Sequence, residues 1–103
     1  MALPTGVLDS IKNYLDITWA DADIDTKLTG IIERGIKFID MIAGRAQDYT
    51  APGLAQALLY DYCRYVRANA FDDFRKNFQS ELNTLQIGEG VAMYAEAETA
   101  TDL

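Results

Sequence analysis

Residues 24–43, IDTKLTGIIERGIKFIDMIA, carry a broad apolar stripe in this 103-residue chain. The apolar positions recur at steps of three and four residues: Ile24, Leu28, Ile31, Ile32, Gly35, Ile39 and Ile42. That spacing places them on one face of an α-helix, and a helix with such a face packs against other elements. We therefore predict a helix over residues 19–43, with Thr18 and Asp21 spaced like a capping box and Gly44 as its stop.

Two glycines, Gly30 and Gly35, lie inside this predicted helix. Each costs about 1 kcal/mol relative to alanine in a helix interior. They indicate either local tolerance or the close approach of a neighbouring helix, and the sequence leaves both explanations open.

Helical spacing continues on both sides of this stretch. We predict three further helices: one over residues 5–15, one that begins at Pro52 as its first helical residue, and one over residues 71–85. A break near Asn69 separates the last two of these helices. Beyond Gln86 the pattern changes to IGEG, VAMYA and a small acidic end. The prediction is an all-α fold, a bundle of about four helices over residues 1–85. An extended acidic tail follows over residues 86–103, in which VAMYA could form a short strand.

The composition excludes several classes of function. The chain has 9 basic and 16 acidic residues, a net charge of −7, no histidine and one cysteine. Catalytic and metal sites built on histidine are therefore excluded, as are an intramolecular disulfide and a cysteine-cluster metal site. The acids Asp21, Asp23 and Asp25 lack the glycine and glutamate of an EF-hand loop. We expect neither an enzyme nor a cofactor.

The sequence also indicates the cellular compartment in which the protein is made. No apolar run approaches the roughly 20 residues of a membrane span, and the N-terminal residues do not resemble a signal peptide. We expect a soluble protein made in a reducing cytoplasm, with Cys63 as a buried small apolar residue.

Residues 60–78, YDYCRYVRANAFDDFRKNF, interleave aromatic and basic side chains. Such interleaving can bind single-stranded nucleic acid. Here the aromatic residues keep helix-core spacing, and Asp61, Asp72 and Asp73 offset most of the positive charge. We therefore favour core packing, with ion pairs between helices or between subunits.

Charge is segregated along the chain. Residues 1–26 carry a net charge of −4, residues 27–76 of +2 and residues 77–103 of −5. The acidic last segment also contains Ile87, Val91, Met93 and Tyr94, which have no obvious place in a four-helix monomer. Pairing with a neighbouring subunit by strand addition would bury them, whereas the alternative is a frayed terminus.

Three stretches together resemble a known family. Two of them are LDSIKNYLDITWADADIDTKLTGIIERGIKFIDMIAG (residues 8–44) and LAQALLYDYCRYVRANAFDDFRKNFQSEL (residues 54–82), and the third is the short acidic tail after Leu85. In the order and length of these stretches, and in the kinds of residue that they contain, the chain resembles the head–tail connector (head-completion adaptor) proteins of long-tailed bacteriophages and prophages. The resemblance covers residues 7–85 and includes no sharp motif.

The resemblance implies a structural protein of the virion neck, made in the bacterial host cytoplasm. Such proteins form a ring, commonly dodecameric, beneath the portal protein, and they dock the stopper or tail-completion protein. DNA passes through the channel without sequence-specific binding, and no membrane is involved. The resemblance also implies that Ile87, Val91, Met93 and Tyr94 contact the portal or a neighbouring subunit.

Head-to-tail contacts in a ring need unlike surfaces on each subunit. We hypothesise that a basic set, Arg64, Arg67, Arg75 and Lys76, meets an acidic set, Asp21, Asp23 and Asp25. The alternative function is a small acidic helical interaction or regulatory module that binds a basic protein partner. A DNA-reading helix-turn-helix protein is less favoured, because no predicted helix is clearly basic.

Overall fold

The computed structural model describes residues 3–101, with the backbone alone at residues 100 and 101. Within this range the chain forms five helices and no strand, which confirms the all-α class. The helices are α1 (Val7–Tyr14), α2 (Ala22–Ala43), α3 (Leu54–Arg67), α4 (Phe71–Asn77) and α5 (Gln79–Thr101).

The core lies between α2 and α3, which share the largest contact in the fold. The stripe predicted on α2 supplies much of it, since Leu28, Ile32 and Ile39 are at most 1% exposed. Ile11 of α1 and Leu59 of α3 close the core from two sides, and both are fully buried. The short helix α1 therefore caps the α2–α3 pair.

Aromatic rings from α2, α3 and α4 form the other half of the core. Ring-centroid separations between 5.1 and 6.5 Å connect Phe38, Tyr62, Tyr65, Phe71, Phe74 and Phe78. Phe74 is at the centre of this network and is fully buried. Edge-to-face and offset arrangements at such distances stabilise a core beyond simple burial. The prediction that the aromatic residues of 60–78 pack in the core is confirmed.

The two ends of α2 differ in how well the sequence predicted them. Gly44 adopts φ +87°, the left-handed conformation that ends many helices, so the predicted stop is confirmed. The predicted start at residue 19 and the capping box at Thr18 are wrong. Asp21 is the N-cap, and its carboxylate accepts hydrogen bonds from the backbone N–H groups of Asp23 and Ile24. Once Asp21 caps in an extended conformation, no helical turn can precede it.

The ends of α3 also correct one prediction. Pro52 is not the first helical residue, because Gly53 has an extended backbone and serves as the N-cap of a helix that begins at Leu54. Asn69 has φ +58°, which stops α3 and confirms the predicted break. Asparagine tolerates this left-handed conformation better than most residues.

The C-terminal segment contains the largest error of the sequence analysis. The predicted helix over 71–85 is divided between α4 and α5, and α5 continues to Thr101. The predicted extended tail with a short strand is wrong over residues 86–101, and residues 102–103 lie outside the described range. Gly88 and Gly90 disfavour a helix, but the alanine- and glutamate-rich residues after them are strong helix formers.

Helix α5 also sets the shape of the molecule. The described chain measures 53 × 29 × 20 Å, with a radius of gyration of 15.3 Å. A compact chain of this length would have a radius of about 13 Å. A helix of 23 residues is about 35 Å long, and residues 94–99 at its far end are all exposed. The last turns of α5 therefore project beyond the core.

Candidate interaction surfaces

The outer stripe of α5 consists of Ile87, Val91 and Tyr94. Their side chains are 66%, 65% and 67% exposed, respectively. The spacing of four and then three residues places all three on one face of the helix. Large apolar side chains that share one exposed helix face mark a binding surface more often than isolated ones do.

The opposite face of α5 packs on the body of the protein. Leu82 and Leu85 are 3% and 7% exposed, and the half-buried Met93 reaches Gly44 at the end of α2. With 3.6 residues per turn, this face and the outer stripe lie on opposite sides of the helix axis. Helix α5 is therefore apolar on two faces, of which the monomer buries one.

A polar clamp holds the middle of α5 to the loop after α2. The Arg45 guanidinium donates hydrogen bonds to Glu89 at 2.5 Å and to Glu96 at 2.8 Å. The side-chain amide of Gln47 donates to the same Glu89 carboxylate at 3.3 Å. The hydrogen bonds from Arg45 and Gln47 lower the pKa of Glu89. The clamp spans the segment that contains Gly90, where the helix is intrinsically weakest.

The predicted basic set is divided between two helix ends. Arg64 and Arg67 lie in the last turn of α3, and Arg75 and Lys76 lie in the last turn of α4. All four side chains are exposed. Cations at these positions interact favourably with the helix dipole, which gives them a local role as well.

Arg64 is also engaged within its own subunit. Its guanidinium pairs with Asp61 at 3.2 Å and lies 4.8 Å from the centroid of the Tyr65 ring. The Tyr14 hydroxyl donates a 2.6 Å hydrogen bond to the same Asp61 carboxylate, and this bond raises the pKa of Tyr14. Arg64 is thus paired within its own subunit, whereas no ion pair of Arg67 is found among the described residues.

The predicted acidic set lies at the start of α2. Asp21 caps the helix, Asp25 pairs with Lys12 of α1 at 2.7 Å, and Asp23 is exposed in the first turn. Among the described residues, no ion pair joins the acidic set to the basic set. An encounter between the two sets would therefore have to occur between subunits.

A narrow groove, here called the α2–α3 groove, separates the first half of α2 from the end of α3. Its volume is about 240 Å³, and its lining comprises Ile24, Lys27, Leu28, Ile31, Val66 and Arg67. The aliphatic residues are buried or half-buried, whereas Lys27 and Arg67 are exposed at the rim. Pockets for drug-sized ligands usually measure about 300–1,000 Å³, so this groove is sized for one or two side chains.

Two buried side chains, Tyr49 and Cys63, have a raised pKa, and the sequence predicted the burial of only one of them. Tyr49, in the loop after α2, is 2% exposed, and its hydroxyl donates to Asp40 at 2.6 Å. Burial and that carboxylate raise the pKa of Tyr49. Cys63 is fully buried, as predicted, and burial raises the pKa of its thiol to about 12.

Trp19 is the largest exposed aromatic side chain outside α5. It is 52% exposed and borders a shallow depression of about 460 Å³ with Asp9, Lys12 and Ile17.

Over the residues that the structure describes, no group of three or more His, Cys, Asp or Glu side chains could hold a metal ion. No helix in the same range combines the length and the apolar character needed to cross a bilayer.

Comparison of the chain with protein-family models, curated proteins and solved structures found no match.

Proposed function

We propose that this protein is a head–tail connector of a long-tailed bacteriophage or prophage, which forms a ring under the portal protein. The observation that carries the proposal is the outer stripe of α5. Ile87, Val91 and Tyr94 are each about two-thirds exposed on a helix whose opposite face is already packed. One apolar face of α5 packs on its own subunit, and the exposed second face can bind another molecule.

Charge supports a role around a DNA passage. Helix α5 carries Glu81, Glu89, Glu96 and Glu98 and no basic residue. Acidic surfaces repel phosphates and avoid the counterion release that makes basic surfaces grip DNA. Such repulsion would let a genome move through a channel without binding to the channel wall. In this proposal the protein has no enzymatic activity and no cofactor.

The resemblance over residues 7–85 supplies the proposed partners. They are further copies of the chain in a ring, commonly dodecameric in the family, the portal protein, and the stopper or tail-completion protein. The proposed location is the virion neck. Within the ring, contacts between identical subunits must be head to tail, and the separation of acidic and basic groups along the chain is compatible with this arrangement.

The second candidate function is a small acidic helical module that binds a basic protein. The acidic character of α5 favours it, because this helix has four glutamates and no basic residue, and its last turns project from the core. This candidate predicts a one-to-one complex and a monomer in isolation. Ring formation discriminates between the two.

The test is electron microscopy of the purified protein, alone and mixed with the portal protein encoded nearest to it. We expect a closed ring on the portal, and we expect Val91→Asp to abolish it while the circular dichroism spectrum stays helical. Met41→Asp is the matched control, since Met41 is 69% exposed and lies outside the outer stripe. A one-to-one complex with a basic protein and no ring on the portal would contradict the proposal.

A further inference from the structure

We infer that the outer stripe of α5 in one subunit docks in the α2–α3 groove of the next subunit, a contact between copies of this chain that rests on the proposed ring. The stripe offers Ile87, Val91 and Tyr94 at helical spacing, and the groove has room for one or two of these side chains. The groove offers an aliphatic floor that includes Ile31 and Val66. This is the helix-in-groove mode of recognition, in which anchor side chains on one helix face enter an apolar cleft while their neighbours on the same face pack along its edge.

The contact must join two molecules, because the outer stripe of α5 cannot reach the α2–α3 groove of its own subunit. The inner face of α5 is held by Leu82 and Leu85 in the core and by the Arg45 clamp. The outer stripe lies on the far side of the helix axis and faces away from α2 and α3 of its own subunit. Only another molecule can cover it.

Charge complementarity identifies that molecule as a second copy. The outer stripe continues, one turn beyond Tyr94, to Glu98, which is exposed on the same face of α5. The groove carries exposed Lys27 and Arg67 at its rim. An apolar stripe that ends in a carboxylate therefore matches an apolar groove that is edged by two cations. Such complementarity fixes register and suppresses wrong partners.

The contact is also of the kind that builds a ring. Stripe and groove are different surfaces of one chain, so each subunit uses its α5 toward one neighbour and its groove toward the other. Heterologous contacts of this kind close into a ring when the rotation between subunits permits. The basic set of the sequence analysis then contributes through Arg67, while Arg64 is paired with Asp61 in its own subunit.

Crosslinking between two differently tagged chains tests the contact directly. One chain carries Val91→Cys and the other Val66→Cys, and a short bis-maleimide joins cysteines that lie close together. The native Cys63 is fully buried and will not compete. We expect mixed-tag crosslinks at concentrations where the wild-type protein associates by sedimentation. The control chain, Met41→Cys mixed with Val66→Cys, should give none.

A charge swap tests the register of the contact. Arg67→Glu and Glu98→Arg should each weaken self-association by about fivefold, because reversal turns an attraction across the contact into a repulsion. The double variant should recover the wild-type affinity. Lys37→Glu makes the same charge change at an exposed position of α2 outside the groove and should leave association unchanged. Failure of the double variant to recover would overturn the assigned register.

The remaining outcomes separate this inference from the proposed function. If rings form but Val91→Cys and Val66→Cys do not crosslink, the inference is wrong and the connector proposal survives. If the crosslinks form and no ring appears with or without portal, the inference stands and the connector proposal fails. Two results overturn the docking of α5 on a second copy. One is a wild-type protein that stays monomeric at millimolar concentration. The other is a Val91→Asp variant that loses portal binding but keeps self-association.

Discussion

Gly35 of α2 packs against Cδ1 and Cε1 of the Tyr62 ring of α3. A methyl group at position 35 would stand 2.7 Å from Cδ1 of Tyr62 and 2.8 Å from Cδ1 of Leu59. Real side chains essentially never approach so closely, so the two helices are packed at a distance that only glycine permits. The sequence left two explanations open for Gly30 and Gly35, and the structure assigns a close helix approach to Gly35 alone.

We expect Gly35→Ala to destabilise the protein by about 1–3 kcal/mol, the usual range for an overpacked core. Gly30→Ala is the matched control on the same helix. Its added methyl group would meet only the flexible end of Arg34, at 3.4 Å. That variant should gain up to about 1 kcal/mol from helix propensity. Urea denaturation measures both, and a Gly35→Ala variant as stable as Gly30→Ala would contradict the close approach.

Cys63 should report global opening of the core. The thiol is fully buried, and burial raises its pKa to about 12, so at pH 8 it is neutral and shielded from reagents. Its reaction with a disulfide reagent should be slower than that of an exposed thiol by a factor of about 10³ or more. Introducing Ser80→Cys on the exposed start of α5 provides the fast reference within one molecule. Comparable rates for the two thiols would refute a closed core around Cys63.

The sequence predicted the parts of the fold that local physics determines. The stripe on α2 needed only the spacing of its apolar residues, and the stop at Gly44 needed only the freedom of glycine at positive φ. The aromatic residues of 60–78 were assigned to the core for the same reason. Their helical spacing already implied one buried face.

The helical state of the C-terminal segment could not be predicted, because contacts remote in sequence support it. Arg45 contacts Glu89 and Glu96, which are 44 and 51 residues further along the chain. Propensity at Gly88 and Gly90 indicated a break, and the packing of Leu82, Leu85 and Met93 overrode it. The α2–α3 groove was missed as well, since no single stretch of sequence encodes it.

The clamp on α5 should weaken in acid. The folded-state pKa of Glu89 is depressed by Arg45 and Gln47, so the clamp contributes stability at pH values above the ordinary pKa of a glutamate. That contribution is lost as the pH falls through the depressed pKa. We expect the helical ¹³Cα shifts of residues 90–97 to decrease between pH 6 and pH 3 in the wild-type protein.

Substitution of Glu89 isolates the clamp from other carboxylates that titrate in the same range. Glu89→Gln should show reduced helical shifts already at pH 6 and little further change on acidification. Glu98→Gln removes the same charge from the outer face of α5, and its pH dependence should match that of the wild type. An unchanged acid response in Glu89→Gln would show that the clamp does not hold the helix.

The glycines of α5 offer a test that links helix stability to assembly. A Cβ atom at Gly88 or Gly90 would meet nothing within 4 Å, so Gly88→Ala and Gly90→Ala should each stabilise α5 by about 1 kcal/mol. Gly44→Ala is a control for which the opposite change in stability is expected. Gly44 has φ +87°, where an alanine is strained by about 1–2 kcal/mol, so that variant should be less stable.

The same alanine variants decide whether α5 acts as a helix. If the outer stripe docks in helical form, the stiffer helix loses less conformational entropy on binding. Ring assembly of Gly88→Ala/Gly90→Ala should then occur at lower protein concentration than in the wild type. If α5 must instead unwind at the glycines to reach its partner, the added helix stability opposes docking, and a higher concentration will be needed. Sedimentation of the two proteins across a dilution series gives opposite shifts for the two cases, and helical docking requires the shift to lower concentration.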